Sequence, residues 1–246
     1  MDLTPIVVDS VCNGPAHSGH GGWSAGLVAR RFPGTATVSL RSAPPLDTML
    51  TVVAGDDDTL RVFDGSTLVA EGRPADLDAA PPRPVDVAEA VLARTWFEEH
   101  VVPHHPFPTC FGCGPRRDPA EALRLFTGVS PSGDVVAAPW TVRDIRAQGA
   151  VTRELMWAAV DCATGWAAMA LPDAASAAGP SVLANLTVRV DALPSFGDEC
   201  VVVGWPIDGE GRKRHTGGAI LSAEGATLAV ADALWIELRT APPADS

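Results

Sequence analysis

The sequence predicts an α+β protein built from two similar halves. A helical segment followed by four or five strand-like runs occurs twice along the chain. The closing hairpins of the two halves also match, because an acid–Gly turn leads into a strand at residues 64–69 and again at residues 224–229. Between the halves, a stretch rich in Pro, Ala and Asp at residues 73–84 is typical of a linker.

The first half is predicted to begin with a helix. A glycine-rich turn at residues 20–22 opens the helical segment 23–32. Apolar and β-branched runs bounded by Gly, Pro and Asp then predict strands over 35–41, 48–54, 60–63 and 67–72. After the linker, residues 85–100 predict a connecting helix, because their apolar side chains recur near helical spacing at Val87, Val91, Leu92 and Trp96.

The second half repeats this order. Strands are predicted over 123–127 and 134–139, followed by a helix from Arg153, and then by strands over 181–190, 199–205, 214–223 and 227–238. We therefore divide the chain into an N-terminal half, a connecting helix with a Cys loop, a C-terminal half and a tail, at residues 1–84, 85–118, 119–240 and 241–246.

The second-half helix contains an isolated acid. Residues 155–171 are apolar around most of a helical projection and carry one formal charge, Asp161. A central Asp and a length at the short end for a span argue against a membrane helix. An unpaired buried carboxylate costs roughly several kcal/mol. Asp161 is therefore either a functional carboxylate or one that hydrogen-bonds a neighbouring backbone or hydroxyl group.

Composition and charge exclude several classes of protein. The net charge of −12 argues against a general nucleic-acid binder. Five scattered cysteines predict a reducing compartment without a disulfide framework. The N-terminus lacks a basic segment followed by an apolar run, so no signal peptide is predicted. We expect a cytoplasmic protein with neither nucleic-acid nor membrane partners.

Three short motifs resemble a known family. The HGGW motif at residues 20–23, followed by a helix, resembles the helix start of hotdog-fold thioesterases. Residues 179–188, GPSVLANLTV, resemble the strand after the central helix in PaaI-type acyl-CoA thioesterases. Asp161 precedes that strand about where this family carries its catalytic acid. The resemblance implies two tandem hotdog repeats, each a central helix wrapped by an antiparallel sheet, in a double-hotdog form.

The two halves depart from the family pattern in complementary ways. The first half has the glycines, but Ala29 occupies the position expected for the acid. The second half has Asp161, but residues 152–154 replace the glycine-rich helix start. Family members build their site between two protomers. The resemblance therefore implies one composite site, which pairs Gly21 with Asp161, and one degenerate site.

The resemblance also implies roles in thioester hydrolysis. Asp161 would activate water or attack directly, and the Gly21 N–H would polarise the thioester carbonyl. Ser181 would orient the water, and Asn13 would contact the carbonyl. The implied substrate contacts are His20, Gly22, Trp23, Trp157, Trp166 and Arg214. His20 is alternatively a helix cap, and the basic cluster at residues 212–215, which could bind coenzyme A phosphates, is alternatively a solvated turn.

The expected substrate is an acyl-CoA or acyl-carrier thioester, with coenzyme A as part of the substrate and no resident cofactor. The protein would be a monomer, as a pseudo-dimer of its halves, or a homodimer. The first rival function is a non-catalytic binder of acyl or other hydrophobic ligands. A hotdog dehydratase or hydratase ranks third because no Asp-x4-His motif is present, and a purely structural module is the remaining alternative. A serine hydrolase is disfavoured because the one GxSxG match, at residues 22–26, falls at the predicted helix 23–32 and not at a strand-to-helix turn.

The Cys110-x-x-Cys113 loop offers zinc-type ligands, with His104 and His105 just upstream. One CxxC is only half of a usual structural zinc site, and the other cysteines show no second pair. A redox CxxC usually opens a helix, whereas Gly and Pro follow this one. We therefore predict a packed interdomain loop without a metal.

Overall fold

The computed structural model describes residues 2–145, 149–171 and 179–239. Three α-helices are formed within these residues: α1 Gly21–Ala29, α2 Val87–His100 and α3 Arg153–Ala170. The strands of the first half are β1 Ile6–Val7, β2 Ala36–Leu40, β3 Met49–Ala54, β4 Leu60–Asp64 and β5 Thr67–Pro74. Those of the second half are β6 Gly128–Val129, β7 Val136–Thr141, β8 Ser181–Val190, β9 Glu199–Glu210, β10 Lys213–Ser222 and β11 Thr227–Glu237. Two short 3-10 helices cover Ser10–Cys12 and Val102–His104.

All of these strands form one antiparallel sheet, in the order β1-β3-β4-β5-β2-β8-β11-β10-β9-β7-β6. Strand β2, which follows α1, and strand β8, which follows α3, lie at the middle of the sheet. Outward from β2 come β5, β4 and β3, and outward from β8 come β11, β10 and β9, so the two halves have the same order. The halves join where β2 pairs with β8. Across this join the Thr187 hydroxyl donates to Thr37 Oγ1 at 2.8 Å, and Asn185 Nδ2 donates to Ser39 Oγ at 2.8 Å.

Helices α1 and α3 pack against each other on one face of the sheet, and glycines allow their close approach. A Cβ on Gly22 would lie 2.5 Å from the Cβ of Asp161, and one on Gly26 would lie 2.8 Å from the Cα of Glu154. Every residue of α1 except Gly21 is buried. Helix α1 lies between α3 and the sheet, so side chains on nearly every side of it are buried and apolar.

Helix α2 covers the opposite face of the second half. Ala90 and Ala93 of α2 pack with Val201 and Val203 of β9. The intervening Val202 belongs to the core under α1 and α3. Successive side chains of β9 therefore enter two different cores, which explains why this strand is a continuous apolar run.

The predicted helices are present with slightly different ends, and most predicted strands are observed. The predicted strand over 123–127 is wrong. Arg124 there has a φ of +54°, and the backbone N–H groups of Leu123 and Leu125 donate to the Phe111 and Gly112 carbonyls of the Cys loop. The apolar side chains of this segment pack against the Cys loop, and the first strand of the second half begins only at Gly128. The short β1 was not predicted. Among the described residues there is no helix with the length and hydropathy needed to cross a bilayer.

Candidate functional site

A cavity of about 470 Å³ opens between the start of α1, the middle of α3 and the central strand β8. Both halves and the Cys loop contribute to its wall. The residues that bear on chemistry are His20, Gly21, Cys110, Cys113, Asp161, Cys162 and Ser181, and the larger apolar ones are Leu40, Phe107, Trp166, Met169, Leu183 and Trp235. The surface is mostly apolar, as is usual for sites that bind small organic ligands.

The start of α1 supplies a backbone donor at the cavity. His20 is the N-cap, and its Nδ1 accepts from the Trp23 N–H at 3.3 Å. Gly21 lines the cavity, and its N–H has no hydrogen-bond partner within the described residues. A Cβ at position 21 would lie 2.9 Å from Leu183 Cβ, so a larger residue would press on β8. The first turn of α1 thus presents a free N–H with the partial positive charge of the helix terminus.

Asp161 faces this helix start from α3. The residue is 3% exposed, and its Oδ2 lies 3.4 Å from His20 Nδ1. Its Oδ1 makes no hydrogen bond within the described part of the chain. Burial raises the pKa of Asp161 to about 6, although the charge of His20 and the backbone N–H of Gly22 oppose the shift. A carboxyl group with such a pKa can exchange protons near neutral pH.

Two cysteines, Cys110 and Cys162, lie beside the other nitrogen of His20, and Cys113 lies next to them. His20 Nε2 lies 3.4 Å from Cys162 Sγ, and these two atoms and Cys110 Sγ all lie within 4.8 Å of one another. The Cys113 thiol is a hydrogen-bonding neighbour of the Cys110 and Cys162 thiols, but it lies outside the group of atoms within 4.8 Å. Hydrogen bonds from the Cys113 and Cys162 thiols lower the pKa of Cys110, and the charge of His20 adds to the effect. Burial lowers the pKa of His20, but the negative charges of Cys110 and Asp161 outweigh it, so that the net shift is upward.

Two other predicted residues lie on the cavity wall. Ser181 is buried at the start of β8, and its hydroxyl donates to the Gly179 carbonyl at 3.3 Å. Trp166 lies one helical turn beyond Asp161, where its ring packs edge-on against Phe97 with centroids 4.8 Å apart. The cavity therefore brings Gly21, His20, Asp161, Ser181 and Trp166 together.

The remaining predicted residues do not line this cavity. The Asn13 side chain donates to the Gly14 carbonyl at 3.1 Å and to Thr109 Oγ1 at 3.3 Å. Gly22 lies behind Gly21, against the backbone of α3. Trp23 packs edge-on against Phe111 with centroids 5.6 Å apart.

Trp157 and Arg214 also lie away from the cavity wall. Trp157 is 1% exposed and belongs to the core on which α1 rests. Arg214 follows the turn between β9 and β10, where its Nη2 donates to Glu237 Oε2 at 3.1 Å and its Nη1 donates to the Gly211 carbonyl at 2.6 Å.

The other end of the α1–α3 interface carries an ion pair instead of a cavity acid. Arg30, at the end of α1, donates to Glu154, in the first turn of α3, at 3.2 Å. Glu154 occupies the position in α3 that Gly22 occupies in α1, and Ala29 corresponds to Asp161. At this end the two charged side chains neutralise each other, and α3 begins with Arg153 where α1 begins with Gly21.

Sequence reasoning missed the cysteines of this site. Cys162 follows Asp161 directly, but a lone Cys in a helix gives no sign that it meets a loop. The upstream histidine of the loop has a different role, since His105 Nδ1 accepts from the Phe107 N–H at 3.0 Å and burial lowers the pKa of His105 to about 4. The only available signal was the spacing of Cys110 and Cys113 itself.

No family model and no curated protein matches this sequence. Solved structures are similar in fold. A thioesterase candidate from Novosphingobium aromaticivorans is 13% identical with a TM-score of 0.59, over 95% of this chain and 94% of that one. A conserved protein of unknown function with a hotdog fold, from Alicyclobacillus acidocaldarius, is 15% identical with a TM-score of 0.57, over 91% of this chain and 89% of that one. The acyl-CoA thioesterase II TesB2 of Mycobacterium marinum is 13% identical with a TM-score of 0.50, over 92% of each chain.

These similarities extend over nearly the full length of both partners, and together with the single antiparallel sheet they show that the chain has a hotdog fold. The predicted fold type is therefore confirmed. At such low sequence identity, structural similarity shows a shared fold but does not show a shared reaction.

Proposed function

We propose that the protein hydrolyses acyl thioesters at a composite site formed by the start of α1 and Asp161 of α3. One observation carries the proposal: a buried carboxylate and the helix N-terminal N–H of Gly21 line the same apolar cavity, and neither Asp161 Oδ1 nor that N–H has a hydrogen-bond partner among the described residues. Thioester hydrolysis needs these two groups, a proton acceptor for water and a donor for the carbonyl oxygen.

The reaction follows from these positions. The thioester carbonyl oxygen accepts a hydrogen bond from the Gly21 N–H, which polarises the C=O bond. Asp161 removes a proton from water as the water oxygen attacks the carbonyl carbon. The tetrahedral intermediate then breaks its C–S bond, and the proton held by Asp161 passes to the leaving thiolate. The products are a carboxylic acid and a free thiol, and Asp161 returns to its ionised form.

The cavity lining favours a substrate with an apolar acyl group. Trp166, Met169 and Trp235 would contact the acyl chain, since their side chains are on the wall beside Asp161. A coenzyme A thioester is the proposed substrate class, which is the class that the name of the Mycobacterium marinum neighbour gives for that protein. The buried Ser181 lines the same cavity, and its hydroxyl is the group proposed to orient the attacking water.

We further infer that the chain consists of two tandem hotdog repeats. The two halves follow the same strand order outward from the β2–β8 join, and each places one helix on the same face. Such an arrangement has two positions where a helix start meets the neighbouring helix. Only the one with Gly21 and Asp161 has the groups for hydrolysis, because Arg30 and Glu154 pair with each other at the opposite end.

The test is hydrolysis of a panel of short-chain, long-chain and aromatic acyl-CoAs, measured as release of free thiol. Asp161→Asn should lower kcat/KM by about 100- to 10,000-fold, the usual contribution of a general base. Asp56→Asn is the matched control, because Asp56 is an exposed acid in a distant turn. Circular dichroism of each variant checks that folding is intact.

Unchanged turnover in Asp161→Asn would remove Asp161 from the mechanism. If no acyl-CoA or acyl-carrier thioester is hydrolysed, yet a fatty acid binds in the cavity with 1:1 stoichiometry, the protein is a hydrophobic-ligand binder and the proposal fails.

A further inference from the structure

We propose that His20, Cys110, Cys113 and Cys162 together bind one zinc ion at the edge of the cavity. The hydrolysis described above uses none of the three thiols. Their position is nevertheless specific: all four side chains are buried on the cavity wall, and they come from three separate segments of the chain. Three thiolates and one imidazole are a ligand set that zinc binds in structural sites.

The distances suit tetrahedral coordination. Zinc bonds of about 2.1 Å to nitrogen and about 2.3 Å to sulfur, at a tetrahedral angle, place the two ligand atoms about 3.6 Å apart. His20 Nε2 and Cys162 Sγ are 3.4 Å apart, and Cys110 Sγ lies within 4.8 Å of both. The Cys113 thiol neighbours those of Cys110 and Cys162 but lies outside the group of atoms within 4.8 Å, so it would have to close onto the ion as the fourth ligand.

The Cys loop is shaped for this convergence. The Gly114 N–H donates to the Cys110 carbonyl at 2.8 Å, which closes a tight turn and brings the two loop cysteines to the same side. A Cβ on Gly112 would lie 2.6 Å from His20 Nε2 and would collide with Cys162 Sγ. Only glycine at this position lets the loop approach the ligand atoms of both helices.

A second group supports the histidine as a ligand. Asp161 Oδ2 lies 3.4 Å from His20 Nδ1, on the opposite side of the ring from the cysteines. Zinc-binding histidines commonly donate their second N–H to a carboxylate, which fixes the tautomer and the ring orientation. Zinc on Nε2 of a neutral imidazole would place the ring proton on Nδ1, which would then donate to Asp161 Oδ2 and give up the hydrogen bond that it accepts from the Trp23 N–H at 3.3 Å.

Four protein ligands leave no open coordination position, so this ion would stabilise the structure and would not activate water. It would fasten the start of α1, the Cys loop and α3 to one another, since each segment contributes at least one ligand. The inference is independent of the proposed hydrolysis, because metal content can be measured without any substrate.

The first experiment measures metal content of the full-length protein by inductively coupled plasma mass spectrometry, after expression with zinc in the medium and gel filtration. We expect about one zinc per chain. Cys110→Ser and Cys162→Ser should each retain less than about a tenth of that zinc after exposure to a competing chelator, because each removes one of four ligands. Cys12→Ser and Cys200→Ser are matched controls, since those buried cysteines lie outside the cluster, and they should retain full occupancy.

A second measurement covers the case in which a ligand variant does not fold. The unmodified protein is expressed in minimal medium with cobalt in place of zinc, and its absorption spectrum is recorded. Tetrahedral thiolate ligation predicts intense visible d–d bands and a near-ultraviolet sulfur-to-cobalt charge-transfer band. Asp161→Asn should weaken zinc binding by about 10- to 100-fold, the usual effect of removing the partner of a ligating histidine.

Three results would overturn the proposal. One is a protein that contains neither zinc nor cobalt under these conditions. Another is a Cys110–Cys113 disulfide, seen as three free thiols instead of five in denaturant. The third is an acyl group on Cys110 or Cys162 after incubation with an acyl-CoA, since intact-mass analysis would then identify a nucleophilic cysteine instead of a ligand.

Discussion

Replacing Gly22 by alanine should force α1 away from α3. The added Cβ would lie 2.5 Å from the Asp161 Cβ and would overlap the Trp157 carbonyl oxygen. Carbon atoms attract each other at about 3.5–4.0 Å, so the separation is short by about 1 Å. Neither neighbouring atom can rotate away, because one is backbone and the other is the first carbon of a buried side chain. The two helices must therefore separate by about that distance.

The cost follows from the packing. Overpacking a core costs about 1–3 kcal/mol, and rigid neighbours favour the upper end of that range. Alanine recovers up to about 1 kcal/mol of helix propensity, which leaves a net destabilisation of about 2 kcal/mol. For a chain of this size the Tm should fall by about 4–8 °C.

The assay is urea denaturation followed by circular dichroism, with the free energy of unfolding obtained by linear extrapolation. Gly34→Ala is the matched control, because a Cβ there has nothing within 4 Å. It should leave the free energy of unfolding unchanged or raise it by less than about 1 kcal/mol. If Gly22→Ala unfolds at the same urea concentration as the parent, the contact of Gly22 with α3 is not as close as the structure indicates, and the predicted destabilisation is refuted.

Three further substitutions test packing and charge elsewhere. Phe97→Ala should lower the free energy of unfolding by about 3–5 kcal/mol in urea denaturation, because the fully buried ring leaves a cavity among aromatic neighbours. The hydrogen bond from Arg83 lowers the pKa of Asp134 below its ordinary 3.8, so Arg83→Gln should cost about 1 kcal/mol at neutral pH. That difference, followed by denaturation from pH 7 downward, should shrink as the pH falls through the lowered pKa of Asp134, although Arg83 also pairs with Glu89, and a constant difference would contradict the assignment. For His215, burial disfavours the charge but the hydrogen bond to Asp232 outweighs it and raises the pKa above 6.5. His215→Gln should therefore lose less than about 1 kcal/mol below pH 6.5, and nothing once the pH exceeds the raised pKa; a larger loss at alkaline pH would refute this.

The order of elements could be predicted because the apolar segments differ in length and are bounded by Gly, Pro and Asp. The helix around Asp161 is apolar on nearly every side, and β9 is a continuous apolar run, which a strand buried on both faces requires. The failure at residues 123–127 has the same physical origin. Those apolar side chains are buried against the Cys loop, and the loop carbonyls accept the backbone hydrogen bonds of this segment. The apolar pattern therefore predicted burial correctly but did not distinguish a loop partner from a strand partner.

The site could be predicted only as far as local motifs reach. His20, Gly21, Asp161 and Ser181 come from short motifs, and the structure places them on one cavity. The meeting of Cys162 with the Cys loop depends on how α3 crosses α1 and where the loop returns. No local pattern encodes a contact between segments that far apart in the chain. Arg214 belongs to a basic cluster that is evident in the sequence, but the ion pair that it forms with Glu237 in the fold is not.

Both ends of the long sheet are closed by very short strands. Ile6–Val7 forms one outermost strand and Gly128–Val129 the other. A long exposed edge strand offers a row of free N–H and C=O groups that recruits strands from other molecules and can start a fibril. Two residues offer too few such groups for stable pairing. Each two-residue outer strand thus covers the part of Met49–Ala54 or Val136–Thr141 with which it pairs, and it shortens the edge at which another molecule could add a strand to this wide sheet.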